Sequence, residues 1–268
     1  MIQLICFSRN RPLQLHGYLT SVFNLFSRHD LFSVDVLFRA DSIFQPSYEA
    51  LTEEFPQVTF TTENDFSKDL LNLIGDSAYT CFGCDDVVFI RPVDIDLIMT
   101  EFREDLFGFS LRLGLNLNKS MFAGAMAAPP MLPSAKQLLL WDLHSSHAFI
   151  DWGYSWELTG TVYPTTIVRQ VIEELRPQSP NLLEAGGGGR WSNKTNRHLM
   201  SAWSSSRLVI PTINVVQDNF PNPVCGKHPI STEFLLTCWR NGLRMDIDAF
   251  ALREYDCIHI PNFYLYRK

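Results

Sequence analysis

Two adjacent carboxylates, Asp85 and Asp86, interrupt the end of the most apolar stretch of the chain, Tyr79 to Ile90. Neighbouring carboxylates repel and raise each other's pKa unless a cation or hydrogen-bond donors compensate. A divalent metal that also touches a phosphate suits such a pair; the alternative is a surface turn carrying two solvated aspartates. Without a cation the repulsion would leave Asp86→Ala more stable than the native chain. Cys81 and Cys84 form a C-x-x-C just before the pair, but no second C-x-x-C or His pair accompanies it, so two strand thiols are expected rather than a zinc knuckle. Farther on, Gly186 to Gly189 follow Glu184. Four glycines hold no single conformation unaided, and no strand precedes them and no Lys-Ser/Thr follows, so the run reads as a hinge or mobile lid rather than a phosphate cradle.

These residues need elements to position them. Ile2 to Phe7 is a short apolar run, and Pro12 opens a helix with Leu15, Leu19, Val22, Phe23 and Phe26 on one face. Val34 to Phe38 reads as a strand, Ser47 to Phe55 as a helix, Val58 to Thr61 as a strand and Ser67 to Ile74 as a helix stopped by Gly75. Tyr79 to Ile90 is then a fourth strand. Four strands alternating with three helices predict an α/β fold: a mostly parallel central sheet with helices on both faces, whose ligands bind at the carboxyl ends of the strands. Arg9, Asp41 and Asp86 all fall at such ends. In the second half, Leu106 to Leu113, Phe122 to Ala128, Glu157 to Tyr163 and Leu208 to Val216 read as strands. Ser134 to Leu143, Thr165 to Leu175 and Thr232 to Arg240 read as helices. With no repeat and no long linker, residues 1–268 are expected to form a single domain.

Composition narrows the function. The 268 residues are 46% hydrophobic, ample for a core, and 22 Lys plus Arg stand against 29 Asp plus Glu, a formal charge of −7. That balance argues against gripping a phosphate backbone, so nucleic acid is not an expected partner. No apolar run approaches the roughly 20 residues of a membrane-spanning helix, and Arg9 and Arg11 cut the opening run before it resembles a signal segment. The expectation is a cytoplasmic protein with no transmembrane segment, whose six cysteines are reduced thiols.

Phe7-Ser8-Arg9-Asn10-Arg11-Pro12 after the first strand and Cys84-Asp85-Asp86 after the fourth resemble motifs of the nucleotide-sugar-dependent glycosyltransferases of the GT-A fold, the latter their Asp-x-Asp motif with Cys84 in place of the first carboxylate. The resemblance implies a GT-A-like, Rossmann-like sandwich with a nucleotide-sugar-binding half, 1–105, and an acceptor-binding half, 106–268. It implies a transferase that moves a sugar from a nucleotide-sugar donor to a saccharide or glycan acceptor with Mn2+ or Mg2+. Asp86 would hold the metal, and Asp85 would contact the ribose or a metal-bound water. Ser8, Arg9, Arg11 and Asp41 become candidates for base, ribose or phosphate, with Lys68 directed at the same crevice. Such folds often carry a late histidine at the metal or diphosphate: His228 beside Lys227 is preferred, with His259 as competitor. An inverting reaction also needs an acceptor-side carboxylate, for which Glu184 is preferred over Glu157 and Asp151.

Two further readings compete. A sugar-phosphate nucleotidyltransferase would want a glycine-rich loop after the first strand, which Ser8-Arg9-Asn10-Arg11 lacks. A non-catalytic carbohydrate-binding or scaffold protein on a decayed transferase fold is kept alive by Cys84.

Overall fold

The computed structural model describes residues 1–134, 138–188, 190–217, 219–220, 222–226 and 228–268. The chain begins β1 (Ile2–Arg9), α1 (Pro12–Leu25), β2 (Phe32–Arg39), α2 (Gln45–Glu54), β3 (Thr59–Thr62), α3 (Phe66–Leu73), β4 (Tyr79–Cys84), β5 (Val88–Phe89) and α4 (Ile95–Glu101). It continues β6 (Leu106–Ser110), β7 (Lys119–Ser120), β8 (Gly124–Ala125), β9 (Leu139–Asp142), β10 (Thr161–Pro164), α5 (Thr165–Leu175), α6 (Pro180–Gly187) and α7 (Arg190–Thr195). It ends β11 (Leu199–Ala202), β12 (Leu208–Pro211), α8 (Thr232–Arg240), β13 (Leu243–Met245), α9 (Ile247–Ala251), β14 (His259–Ile260) and β15 (Leu265–Arg267).

The main sheet runs β3-β2-β1-β4-β10-β6-β11-β9. β3, β2, β1 and β4 are parallel, β10 is antiparallel to β4 and β6, β6 is parallel to β11, and β9 returns antiparallel at the edge. β1 buries almost every residue, as a parallel strand covered on both faces must. Right-handed crossovers fix which helix covers which face. The steps β1 to β2 to β3 move outward one way, so α1 and α2 share a face and touch; the return to β4 goes the other way, and α3 instead meets α5. The chain therefore leaves β1 and β4 toward opposite sides, and a crevice opens between their carboxyl ends.

Several expected elements differ. Tyr79 to Ile90 is not one strand: β4 stops at Cys84, a turn closed by Val87 N donating to Cys84 O (3.0 Å) holds Asp85 and Asp86, and β5 joins a separate sheet with β12 and β14. The two charges end the strand because neither can enter the covered sheet. The expected helix Ser134 to Leu143 is contradicted by β9, whose Leu139–Asp142 pair with β11; Leu138-Leu139-Leu140-Trp141 is an apolar run that helix and strand share, and the free edge of β11 decides it. Ala135, Lys136 and Gln137 lie outside the described residues. Of Phe122 to Ala128 only Gly124–Ala125 is strand, in a hairpin with β7. The strand expected at Glu157 to Tyr163 starts at Thr161, and that expected at Leu208 to Val216 ends at Pro211.

The expected glycine lid is a correction of more consequence. Gly186 and Gly187 close α6, which Ser179 caps through Leu182 N, and Gly188 follows as a turn; Gly189 lies outside the described residues. Gly187 is needed for close approach, since a Cβ there would lie 2.0 Å from Trp156 Cδ1. Gly187→Ala should therefore cost about 1–3 kcal/mol through overpacking, measured by urea denaturation, whereas a mobile glycine segment would show no loss.

Candidate functional site

At the carboxyl ends of β1 and β4 a buried guanidinium holds the carboxylate pair together. Arg11 Nη1 donates to Asp85 Oδ1 (2.9 Å) and Asp86 Oδ2 (3.0 Å), and Nη2 donates to Asn214 O (2.7 Å). Asp85 Oδ2 accepts from Ser8 Oγ (2.9 Å) and from Arg9 N (3.2 Å). Burial pushes the Asp85 carboxyl up to about 6; Asp86 adds to the rise, and Arg11 and the Ser8 hydroxyl oppose it. Asp85 is thus ionised at neutral pH, as its three donors require. Arg11 itself moves upward because Asp85 and Asp86 outweigh its own burial. Asp86 keeps a partly exposed side chain (16%) at the mouth of the crevice, against 3% for Asp85.

Local structure explains the placement. Asn10 takes a left-handed conformation (φ 56°), which Asn tolerates better than most residues, and turns the chain sharply out of β1 into α1. Asp41 secures that turn: Asn10 Nδ2 donates to Asp41 Oδ2 (2.7 Å), and Asp41 N donates to Asn10 Oδ1 (2.8 Å). The structure therefore places Asp41, which stays exposed, against Asn10 in that turn. The Tyr48 hydroxyl shares a 2.6 Å hydrogen bond with Ser8 Oγ and accepts from Arg11 N (3.2 Å), while its ring stacks on Phe38. Arg9 Nη1 donates to Val216 O (3.0 Å). Pro12 starts the 14-residue helix α1 immediately after Arg11.

A second cluster lies beside the first. β10 runs against β4 and β6, so its beginning, not its end, reaches the crevice and brings Asp151 to Gly160 there; Cys84 Sγ donates to Leu158 O at 3.8 Å. Glu157 is buried, and its Oε2 accepts from Thr159 N and Thr159 Oγ1, both at 2.5 Å. Arg112, two residues past β6, donates from Nη1 to Asp151 Oδ1 (2.8 Å). Burial pushes the Glu184 carboxyl up to about 7; the charge of Glu157 adds to this, and Arg112, the Leu158 backbone and Tyr154 oppose it. Glu184 also acts on the Cys84 thiol, as do Asp86 and Asp85, which ties the two clusters into one charged crevice.

Three further candidates have surroundings of their own. Lys68 lines a hollow of about 420 Å3 with Asp65, Ser67, Glu173 and Arg176, between α3 and α5. His228 is exposed after β12, and Lys227 lies outside the described residues. His259 is within electrostatic reach of Asp86 and Asp151; burial first, then Arg112, lowers it to about 4, and its Nδ1 shares a 2.9 Å hydrogen bond with Thr212 Oγ1. Sequence reasoning passed over Tyr48, Arg112 and Asn214. Arg112 carried a signal, a charged residue inside an apolar run (Leu111-Arg112-Leu113), like the one that exposed Asp85, whereas Asn214 meets Arg11 through its main-chain carbonyl, which residue type does not reveal.

No family model matches the chain. The bifunctional glycosyltransferase pgtA of Dictyostelium discoideum is 27% identical, over 83% of this chain and 33% of that protein, so this chain spans about a third of the length of the curated relative it matches. Among solved structures, S. aureus TarS in complex with UDP superposes with a TM-score of 0.50 at 12% identity, covering 77% of this chain and 59% of that one. The mannosyltransferase PcManGT of Pyrobaculum calidifontis, in complex with GDP-Man and Mn2+, reaches a TM-score of 0.35 at 12% identity over 43% of this chain and 36% of that one. The fold is the GT-A-like α/β sandwich that the sequence motifs implied, and the resemblance to glycosyltransferases holds for a curated relative as well as for the motifs.

Because Arg11 already sits between the aspartates, removing one carboxylate breaks an ion pair instead of relieving a repulsion. Asp86→Ala should cost about 1 kcal/mol or less, given its partial exposure, and Arg11→Met about 3–5 kcal/mol, because it leaves the buried Asp85 without its counter-charge; chemical denaturation at pH 7 checks both, and a more stable Asp86→Ala would contradict the ion pair. Glu184 provides a pH test. Its folded pKa of about 7 lies above the unfolded value of ~4.3, so its contribution is present below the unfolded value and lost as pH rises toward 7. Glu184→Gln, which cannot lose it, should gain stability relative to the native chain between about pH 4.5 and 7.5, followed as paired melting curves across that range.

Proposed function

We propose that this chain transfers a hexosyl group from a nucleoside-diphosphate sugar to a saccharide or glycan acceptor, the donor lying over residues 1–105 and the acceptor against residues 106–268. The observation that carries the reading is the cluster of Arg11, Asp85 and Asp86 in the crevice where the chain leaves β1 and β4 for opposite sides of the sheet. The relative pgtA, named a glycosyltransferase, supports it.

A diphosphate leaves a sugar only when its growing negative charge is met. Arg11 pairs with both aspartates, so it fixes Asp86 in place and the groups that meet this charge need not reorganise as the bond breaks. Divalent-cation assistance fits the residues present: both oxygens of Asp85 are engaged, while Asp86 is partly exposed and is a hard oxygen ligand of the kind Mg2+ or Mn2+ takes together with substrate phosphates. Among the described residues no three His, Cys, Asp or Glu side chains gather into a closed cage, so the diphosphate and water would complete the coordination. Such a cation would supply Lewis-acid neutralisation of the leaving group. On the acceptor side Glu184, with a pKa of about 7, takes the proton of the attacking hydroxyl at neutral pH, where a general base works best. Glu157 supplies the neighbouring charge that raises it.

The test is release of nucleoside diphosphate from a panel of nucleotide sugars in the presence of saccharide acceptors, with Mn2+ and with EDTA. Asp86→Asn and Glu184→Gln should each slow release by at least about a hundredfold while staying folded, Glu184→Gln melting at or above the native temperature. Undiminished turnover in both variants would remove these roles, and a native chain that binds saccharide but releases no diphosphate would be a carbohydrate-binding scaffold.

A further inference from the structure

Arg112 is ion-paired with Asp151 (2.8 Å) and lies within electrostatic reach of the other two acceptor-side acids, Glu157 and Glu184. Its side chain is almost fully buried (5% exposed) at the carboxyl end of β6, and only Nη1 is engaged, by Asp151. Nε and Nη2 meet no partner among the described residues, and neither does Oε1 of the buried Glu157. A buried arginine with one ion pair keeps much of its field for other carboxylates. We propose that Arg112 is a positioning residue: anchored by Asp151, it sets the charge state of Glu184 and so the pH range in which Glu184 accepts a proton.

The charges around the pair are consistent with this. Arg112 is raised because Glu157, Asp151 and Glu184 together outweigh its burial. The groups that face the two residues are Glu157, Asp151, Tyr154, Tyr163, His259 and Cys84. Of these, Glu157 pushes the Glu184 carboxyl toward its neutral form, and Arg112 is the cation that opposes it. Asp151 anchors Arg112 and draws off part of its field, which gives two variants opposite signs: loss of Arg112 raises the Glu184 midpoint, and loss of the Asp151 charge lowers it.

This inference rests on Glu184 as acceptor base, and the two are separable. The Glu184 carboxyl is followed by 13C NMR in glutamate-labelled full-length protein, its resonance assigned by absence in Glu184→Gln. Arg112→Gln should raise the midpoint by at least about one pH unit, Arg112→Lys should keep it near native, and Asp151→Asn should lower it. The acid limb of the kcat/KM profile should move in step. An unmoved midpoint in a folded Arg112→Gln, or the same shift in the lysine and glutamine variants, overturns the role of Arg112. If Arg112→Gln fails to fold, an unmoved or raised midpoint in Asp151→Asn overturns it instead. Full transfer activity in Glu184→Gln would instead sink the acceptor-base reading while the NMR midpoints still decide the role of Arg112.

Discussion

The guanidinium of Arg11 makes the site physically possible. Two carboxylates at the end of a strand that is covered on both faces would each face a large desolvation penalty and would repel each other. One Nη atom bridging Asp85 and Asp86, with the other on the Asn214 carbonyl, offsets both effects. The cost is shared across distant parts of the chain: Ser8 and Arg9 N from β1, Tyr48 from α2, Asn214 beyond β12. The site is therefore a product of the whole alternating fold, and a local loop could not hold it.

The same device recurs on the other side of β4. Arg112, ion-paired with Asp151 and within electrostatic reach of Glu157 and Glu184, is again a buried cation beside several acids. The outcomes differ in a useful way. Asp85 has three donors and is ionised at neutral pH, which suits a group that holds others in place. Glu184 lies near the uncompensated oxygen-bearing Glu157 and titrates near neutrality, which suits a group that exchanges a proton. Environment, not residue type, separates the two roles.

Strand direction brings the two clusters together. Were β10 parallel to its neighbours, the stretch Asp151 to Gly160 would sit at the opposite edge of the sheet from Asp85. Its reversal puts the start of β10 level with the ends of β4 and β6, and Cys84 meets Leu158 across that junction. α6, closed by Gly187 against Trp156, then holds Glu184 on a packed helix. A carboxylate held by helix packing is better defined in position than one on a lid.

Much was legible in the residues alone. The first 84 residues alternate strand and helix because their apolar spacing leaves little choice, α5 and α8 begin and end where their periodicity says, and the Asp85-Asp86 pair marks a crevice because charge at the end of a covered strand demands a reason. What only the tertiary structure decided were matters of partnership. Leu139 to Asp142 became strand because β11 had a free edge; Gly187 closed a helix against Trp156, where a Cβ has no room; Asp41 met Asn10, and the cation between the aspartates proved to be Arg11. Local pattern records whether a residue prefers burial and which period it repeats, but a counter-charge or a strand neighbour comes from 30 to 200 residues away, and no one-dimensional spacing encodes which of several candidates arrives.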